Sequence, residues 1–124
     1  MKWNLDNNMP IYLQLMEQIQ RDIISGRYGP GDKLPSVREL AVEAAVNPNT
    51  MQKALSELER GNLVYSQRTS GRFITEDKEL IKELKREQAG KYLAEFFENM
   101  RSLGLKEEEI RVLFEEAMKG EKKE

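Results

Sequence analysis

Asn47, Asn49, Thr50, Gln52 and Lys53 stand together at the start of one helical pattern, and no acid follows until Glu57. Amides and hydroxyls both donate and accept hydrogen bonds, and the lysine adds a cation. Such a row can reach base edges and phosphates of a nucleic acid. Upstream, Arg38 occupies the first turn of another helical pattern, two residues after Ser36. Downstream, Arg68, Thr69, Ser70, Gly71 and Arg72 form a basic tip between two strand-like runs. A basic tip beside a reading helix favours minor-groove or phosphate contact. Each group also has a plainer reading. One of the asparagines must cap its helix, and Asn47 fits that role. Gln52 and Lys53 fit a solvated face, Arg38 fits a surface ion pair, and the basic tip fits an ordinary hairpin.

The elements that would position these residues carry their own start and stop signals. Ser36 and Glu39 have the Ser-x-x-Glu spacing of a capping box. Asn47-Pro48 is an N-cap followed by proline at the first helical position, where a missing N–H costs nothing. The spacing predicts a helix from about Val37 to Ala44, burying Val37, Leu40 and Ala41. It predicts another from Pro48 to about Arg60, burying Met51, Ala54, Leu55 and Leu58. Two short helices joined by a tight turn are a helix-turn-helix, whose second helix enters the DNA major groove. Before them, Pro10 opens a helix with a one-sided stripe of Ile11, Tyr12, Leu15, Met16, Ile19 and Ile23, and Gly26 ends it. Trp3 and Leu5 alternate with polar residues in an extended lead from Met1 to Asn8, an arrangement that points both onto the body. The loop RYGPGDK leads to Leu34, read as one short strand. After the second short helix, LVYSQ and RFIT flank RTSG with the alternation of a hairpin, the wing of a winged helix.

These same residues carry a family resemblance. LPSVREL, then VNPNT, then ALSELE resembles the signature of the GntR family of bacterial transcription regulators. PIYLQLMEQI, SGRYGPGDKLPS and SGRFI match the same pattern in the same order, so the resemblance covers Pro10 to about Ile74. The short stretch after Ile74 resembles the YtrA-like subfamily. The resemblance implies that Arg38 contacts DNA, as the arginine of LPSxRE does in the family, and that the protein represses an operon such as an ABC-transporter operon. Two positions depart from the family pattern. Asn62 stands where the family has glycine, and Thr69 stands where related wings often have the first of two glycines. Asparagine is the next most tolerant residue of the left-handed conformation.

Composition narrows the function classes. The chain has 124 residues with no cysteine and no histidine. Disulfides, thiolate or imidazole metal sites, and Ser-His or Cys-His catalytic pairs are therefore excluded. No apolar run approaches the roughly 20 residues of a membrane span, and MKWNLDNN lacks the apolar segment of a secretion signal, so a cytoplasmic location is expected. The net charge of −2 at first argues against a nucleic-acid partner. Its distribution answers part of that objection. Residues 1–76 hold nine bases and nine acids, and within residues 60–75 Arg60, Arg68 and Arg72 stand without an acid. Non-specific affinity for DNA should then be weak and strongly salt-dependent. GPGDK lacks the spacing of a phosphate loop and reads as a turn. Met9, Met16, Met51, Met100 and Met118 read as core filler, and Glu107-Glu108-Glu109 as first-turn acids that complement a helix dipole. No metal or other cofactor is expected.

From Asp77 the pattern changes. Leu80, Ile81, Leu84, Gln88, Tyr92, Leu93, Phe96, Phe97, Met100 and Leu103 trace a stripe through one long helix, which Gly90 weakens locally by about 1 kcal/mol and Gly104 stops. A shorter helix follows from Glu107 to about Lys119, and GEKKE is read as a frayed end. About 48 residues cannot alone enclose a small-molecule pocket of roughly 300–1,000 Å³, but two helices with a wide apolar stripe can pair with a second copy. Leu84, Tyr92, Leu93, Phe96, Phe97, Met100, Ile110, Leu113 and Phe114 are the expected dimerisation residues.

The fold expected is mostly α (α+β). Residues 1–76 form an N-terminal winged helix-turn-helix with a small β-hairpin wing, and residues 77–124 a two-helix dimerisation tail. The function expected is sequence-specific binding of a palindromic operator in double-stranded DNA by a homodimer. The operator sequence, the regulated genes and any effector are not legible. The rival is a winged helix used for protein–protein interaction without DNA binding. The acid-free start of the second helix and the basic wing discriminate against it. An enzyme is disfavoured because the carboxylates lie on the polar faces of amphipathic helices.

Overall fold

The computed structural model describes residues 3–122. The first two residues of the extended lead, Met1 and Lys2, and the last two of the polar end, Lys123 and Glu124, lie outside them. Five helices and one hairpin follow in order: α1 (Ile11–Ile24), α2 (Val37–Ala44), α3 (Pro48–Arg60), β1 (Val64–Gln67), β2 (Gly71–Ile74), α4 (Lys78–Ser102) and α5 (Glu107–Lys122). The chain divides into two compact units between Lys85 and Arg86.

The N-terminal unit is built on α1, α2 and α3. Leu15, Ile19 and Ile23 of α1 meet Leu40 and Ala41 of α2 and Met51, Ala54, Leu55 and Leu58 of α3 in one buried cluster. Leu34, Leu63, Val64 and Ile74 close it from the wing side. Trp3 and Leu5 pack against it, as their alternation predicts, and so do Ile81 and Leu84 from the first turns of α4. The expected boundary at residues 76 and 77 therefore falls just before α4, whereas the compact unit continues to Lys85.

The local signals explain the helix bounds. The Ser36 hydroxyl accepts from the Glu39 N–H at 3.1 Å, and the Ser36 N–H donates to Glu39 Oε1 at 3.2 Å, the two halves of the capping box. Asn47 Oδ1 accepts from the Asn49 N–H at 2.7 Å. Between these helices Ala45 takes the left-handed conformation, with φ 56° and ψ 48°. Its N–H and that of Val46 return to Val42 and Ala41 carbonyls, so α2 ends in one residue and α3 can start at once. Asn62 adopts φ 65° in the place of the family's glycine, so the turn after α3 is kept.

The wing pairs β1 with β2 antiparallel, Val64 opposite Ile74 and Gln67 opposite Gly71. A third segment borders β2. Lys33 bridges Phe73, the Leu34 N–H donates to the Arg72 carbonyl at 2.9 Å, and the Ile74 N–H donates to the Asp32 carbonyl at 2.8 Å. The strand expected at Leu34 is thus a single bridge flanked by two hydrogen bonds.

The C-terminal unit is made of the rest of α4 and of α5. Phe96 meets Phe97 and Phe114 edge-on, at centroid distances of 5.5 and 6.2 Å. α5 continues to Lys122, past the expected end near Lys119. Met118 is 48% exposed, so it fills no core.

Candidate nucleic-acid interface

The hydrogen-bonding row lies at the start of α3, with Asn47, Asn49, Gln52 and Lys53 exposed and Thr50 half-buried. Burial of Met51, Ala54 and Leu55 on the opposite side fixes which residues face outward. Asn47 is committed to the cap. Gln52 donates from Nε2 to the Ser56 hydroxyl at 3.4 Å, a weak and exposed contact. Lys53 is not simply solvated, because its Nζ lies 3.9 Å from the centroid of the Tyr12 ring on α1. That cation–π contact contributes on the order of 0.5–1 kcal/mol at an exposed site. It holds the lysine over α1.

Arg38 is exposed on α2, and no carboxylate lies within ion-pair distance of it among the described residues. Among the described residues, the surface ion pair of the plainer reading is not formed. Ser36, also exposed, has its hydroxyl and its N–H engaged in the capping box, two residues before this arginine.

At the wing tip, the Ser70 N–H donates to the Gln67 carbonyl at 3.1 Å, with Arg68 and Thr69 between them. Thr69 has φ 67° while Arg68 keeps a negative φ, the signs of a type II turn. That turn asks for glycine at the second central position, and threonine, branched at Cβ, holds it under strain. Gly71, with φ 112°, follows directly. Arg68, Thr69, Ser70 and Gly71 are all exposed.

Arg72 is committed to an ion pair. Its Nε donates to Glu59 Oε1 at 2.6 Å, and the Ser66 hydroxyl donates to the same carboxylate. The hydrogen bond from Ser66, ahead of that from Arg72, holds the Glu59 carboxyl below its ordinary pKa despite partial burial. The side chain of Arg72 is only 18% exposed. Arg60 in turn pairs with Glu57 at 3.6 Å. Two of the three cations in the acid-free run are therefore matched by carboxylates of α3. Arg68 alone of the three has no carboxylate partner among the described residues.

A cleft of about 380 Å³ brings Ser36 of the α2 cap together with Thr69, Ser70, Gly71 and Arg72 of the wing. Lys33 and Glu39 also line it. Lys33 reaches this cleft from a turn-rich loop far from the hairpin in sequence, a placement that no local sequence signal indicates. Among the described residues no group of acids is arranged to hold a metal ion, and no helix is long and apolar enough to cross a membrane.

Known proteins share this arrangement. The profile described as "Bacterial regulatory proteins, gntR family" matches residues 11–74. The chain belongs to the GntR family. It is 44% identical over 104 residues to the uncharacterised HTH-type transcriptional regulator YhcF of Bacillus subtilis, covering 84% of this chain and 86% of that protein. It is 45% identical over 71 residues to the HTH-type transcriptional repressor YtrA of the same organism, covering 57% of this chain and 55% of that one. A GntR family transcriptional regulator from Listeria monocytogenes superposes with a TM-score of 0.83 at 39% identity, over 90% of this chain and 98% of the other. The DNA-binding domain of AraR, solved in complex with operator ORE1, superposes with a TM-score of 0.53 at 30% identity, over 60% of this chain and 94% of that domain. This GntR protein is a DNA-binding transcription regulator with a winged helix-turn-helix at its N-terminus and two helices after it.

Proposed function

We propose that the protein is a homodimeric repressor that binds a palindromic operator in the cytoplasm, with residues 1–76 as reader and 77–124 as dimerisation tail. The observation that carries the reading is the exposed guanidinium of Arg38 on α2, without a carboxylate partner among the described residues, together with the acid-free, exposed start of α3. Ser36, Asn47, Asn49, Thr50, Gln52 and Lys53 complete the reading surface, and Arg68, Thr69, Ser70 and Gly71 extend it toward the minor groove or the phosphates. Arg72 acts through Glu59, as a brace between the wing and α3. Repression, and an ABC-transporter operon as its target, rest on the resemblance to YtrA-like proteins.

The tail supports a two-fold assembly. Tyr92, Leu93, Phe97, Leu113 and Phe114 are each between 39% and 49% exposed, a large apolar area for one chain to leave in water. Leu84 and Ile110 contribute less than the stripe suggests, since Leu84 packs on the N-terminal core and Ile110 is already buried. Phe96 and Met100 are half-buried. A two-fold axis would present two reading helices to half-sites about one turn, roughly 10 bp, apart.

Selection of binding sites from random DNA by the full chain tests the reading. It is expected to return an inverted repeat, and sedimentation equilibrium to give about twice the 14.4 kDa chain mass. Arg38→Ala and Lys53→Ala should each weaken operator binding by about 1–3 kcal/mol where they contact bases. A monomer that selects no sequence would leave the protein-interaction reading in its place.

A further inference from the structure

We propose that Lys33, which lies outside the hairpin, supplies a phosphate contact of the wing, in the position that the sequence alone gives to Arg72. The inference rests on the DNA-binding reading of this surface and names the residue that carries its charge. Lys33 is exposed and bridged to Phe73, so its backbone is locked to the β2 edge of the wing. Its stem crosses Gly71. A Cβ built on that glycine would lie 3.2 Å from Lys33 Cε, so only glycine there leaves the lysine undisturbed. The side chain lines the cleft between the wing tip and the α2 cap, together with Ser36, Thr69 and Ser70.

The acid next to Lys33 in sequence, the acid that lines its cleft and the acid paired with Arg72 all accept hydrogen bonds from other groups. Asp32 accepts from the Gly29 N–H at 2.7 Å, Glu39 accepts from the Ser36 N–H, and Glu59 is held by Arg72 and Ser66. Lys33 itself forms no ion pair among the described residues. A cation with three donors, at the edge of a cleft that the hydroxyl of Ser70 also lines, fits a phosphate oxygen of the duplex backbone. Arg72 lines the same cleft, but its Nε donates to Glu59 and its side chain is largely covered.

The test measures the affinity of the full chain as a function of salt by fluorescence anisotropy. The probes are a duplex that the chain has selected from random DNA and a duplex of unrelated sequence. Lys33→Met keeps the stem and removes the charge. With two copies of Lys33 in the proposed dimer, the slope of log K against log salt should become shallower by about 1.8, equivalent to roughly 60-fold weaker binding at 0.1 M salt on both duplexes. Lys33→Arg should restore the slope, and Arg72→Met should leave it unchanged while lowering thermal stability. Wild-type slope in Lys33→Met, or a shallower slope in Arg72→Met instead, overturns the assignment while DNA binding itself stands. Failure of the wild-type chain to bind either duplex overturns it together with the DNA-binding reading.

Discussion

In the N-terminal unit Leu15, Ile19, Leu40, Met51 and Ala54 are wholly buried, while in the C-terminal unit Tyr92, Leu93, Leu113 and Phe114 keep nearly half their surface in water. Both units are helical and both carry apolar stripes. The first closes its stripe within one chain, because three short helices and a hairpin surround a single centre. The second has two helices, and a helix pair has one contact line where a core needs several. Closure of a stripe thus depends on how many elements share it, and composition alone does not reveal that number. The proposed dimer supplies the missing elements from a second copy.

The largest expected effect breaks the second unit alone. Phe97→Asp combined with Leu113→Asp should give a monomer by sedimentation whose N-terminal unit remains folded. Loss of the second reading head should weaken operator binding by about 10²–10⁴-fold. Next, Leu55→Ala should cost the first unit about 2–5 kcal/mol, measured by urea denaturation, with a loss that does not depend on protein concentration. If instead the cost scaled with concentration, the first unit would not be self-sufficient.

A smaller change sharpens the contrast from the stable side. Ala45→Gly removes the penalty of a left-handed non-glycine residue and should stabilise the first unit by about 1 kcal/mol. It should leave the association constant of the chain unchanged. The smallest effect concerns acid. Glu59 has a folded pKa below its ordinary value, so its contribution is present above the unfolded pKa and is lost as pH falls through the folded one. Glu59→Gln should therefore flatten the acid limb of the stability curve below about pH 4.5 and leave the neutral region's slope alone.

The sequence made the helices readable because their signals are local. Ser36 with Glu39, and Asn47 with Pro48, lie within four residues of each other, and the caps form as spaced. The reader's core followed from periodicity for the same reason. Contacts across elements were less legible. Glu59 and Arg72 are 13 residues apart and meet only because the hairpin turns β2 back toward α3. Lys53 reaches Tyr12 through the packing of α1 on α3, and Lys33 reaches Gly71 through a bridge to the wing. A run without acids in sequence is therefore not a run of unpaired cations, since Arg60 and Arg72 meet carboxylates of α3. Thr69 is a different case, since only its place at a family glycine, and not its residue type, points to the positive φ it adopts.

Trp3 is the single tryptophan of the chain, and its ring packs against the N-terminal core with an indole N–H that is buried and donates to no described group. Its emission should be blue-shifted in the native state and red-shifted once that core opens. The tail has tyrosine and phenylalanine but no indole, so excitation at the red edge of the absorption band observes the reader alone. Circular dichroism weighs α4 and α5 with everything else. Comparing the two signals during one titration gives each unit its own optical channel, with no label attached.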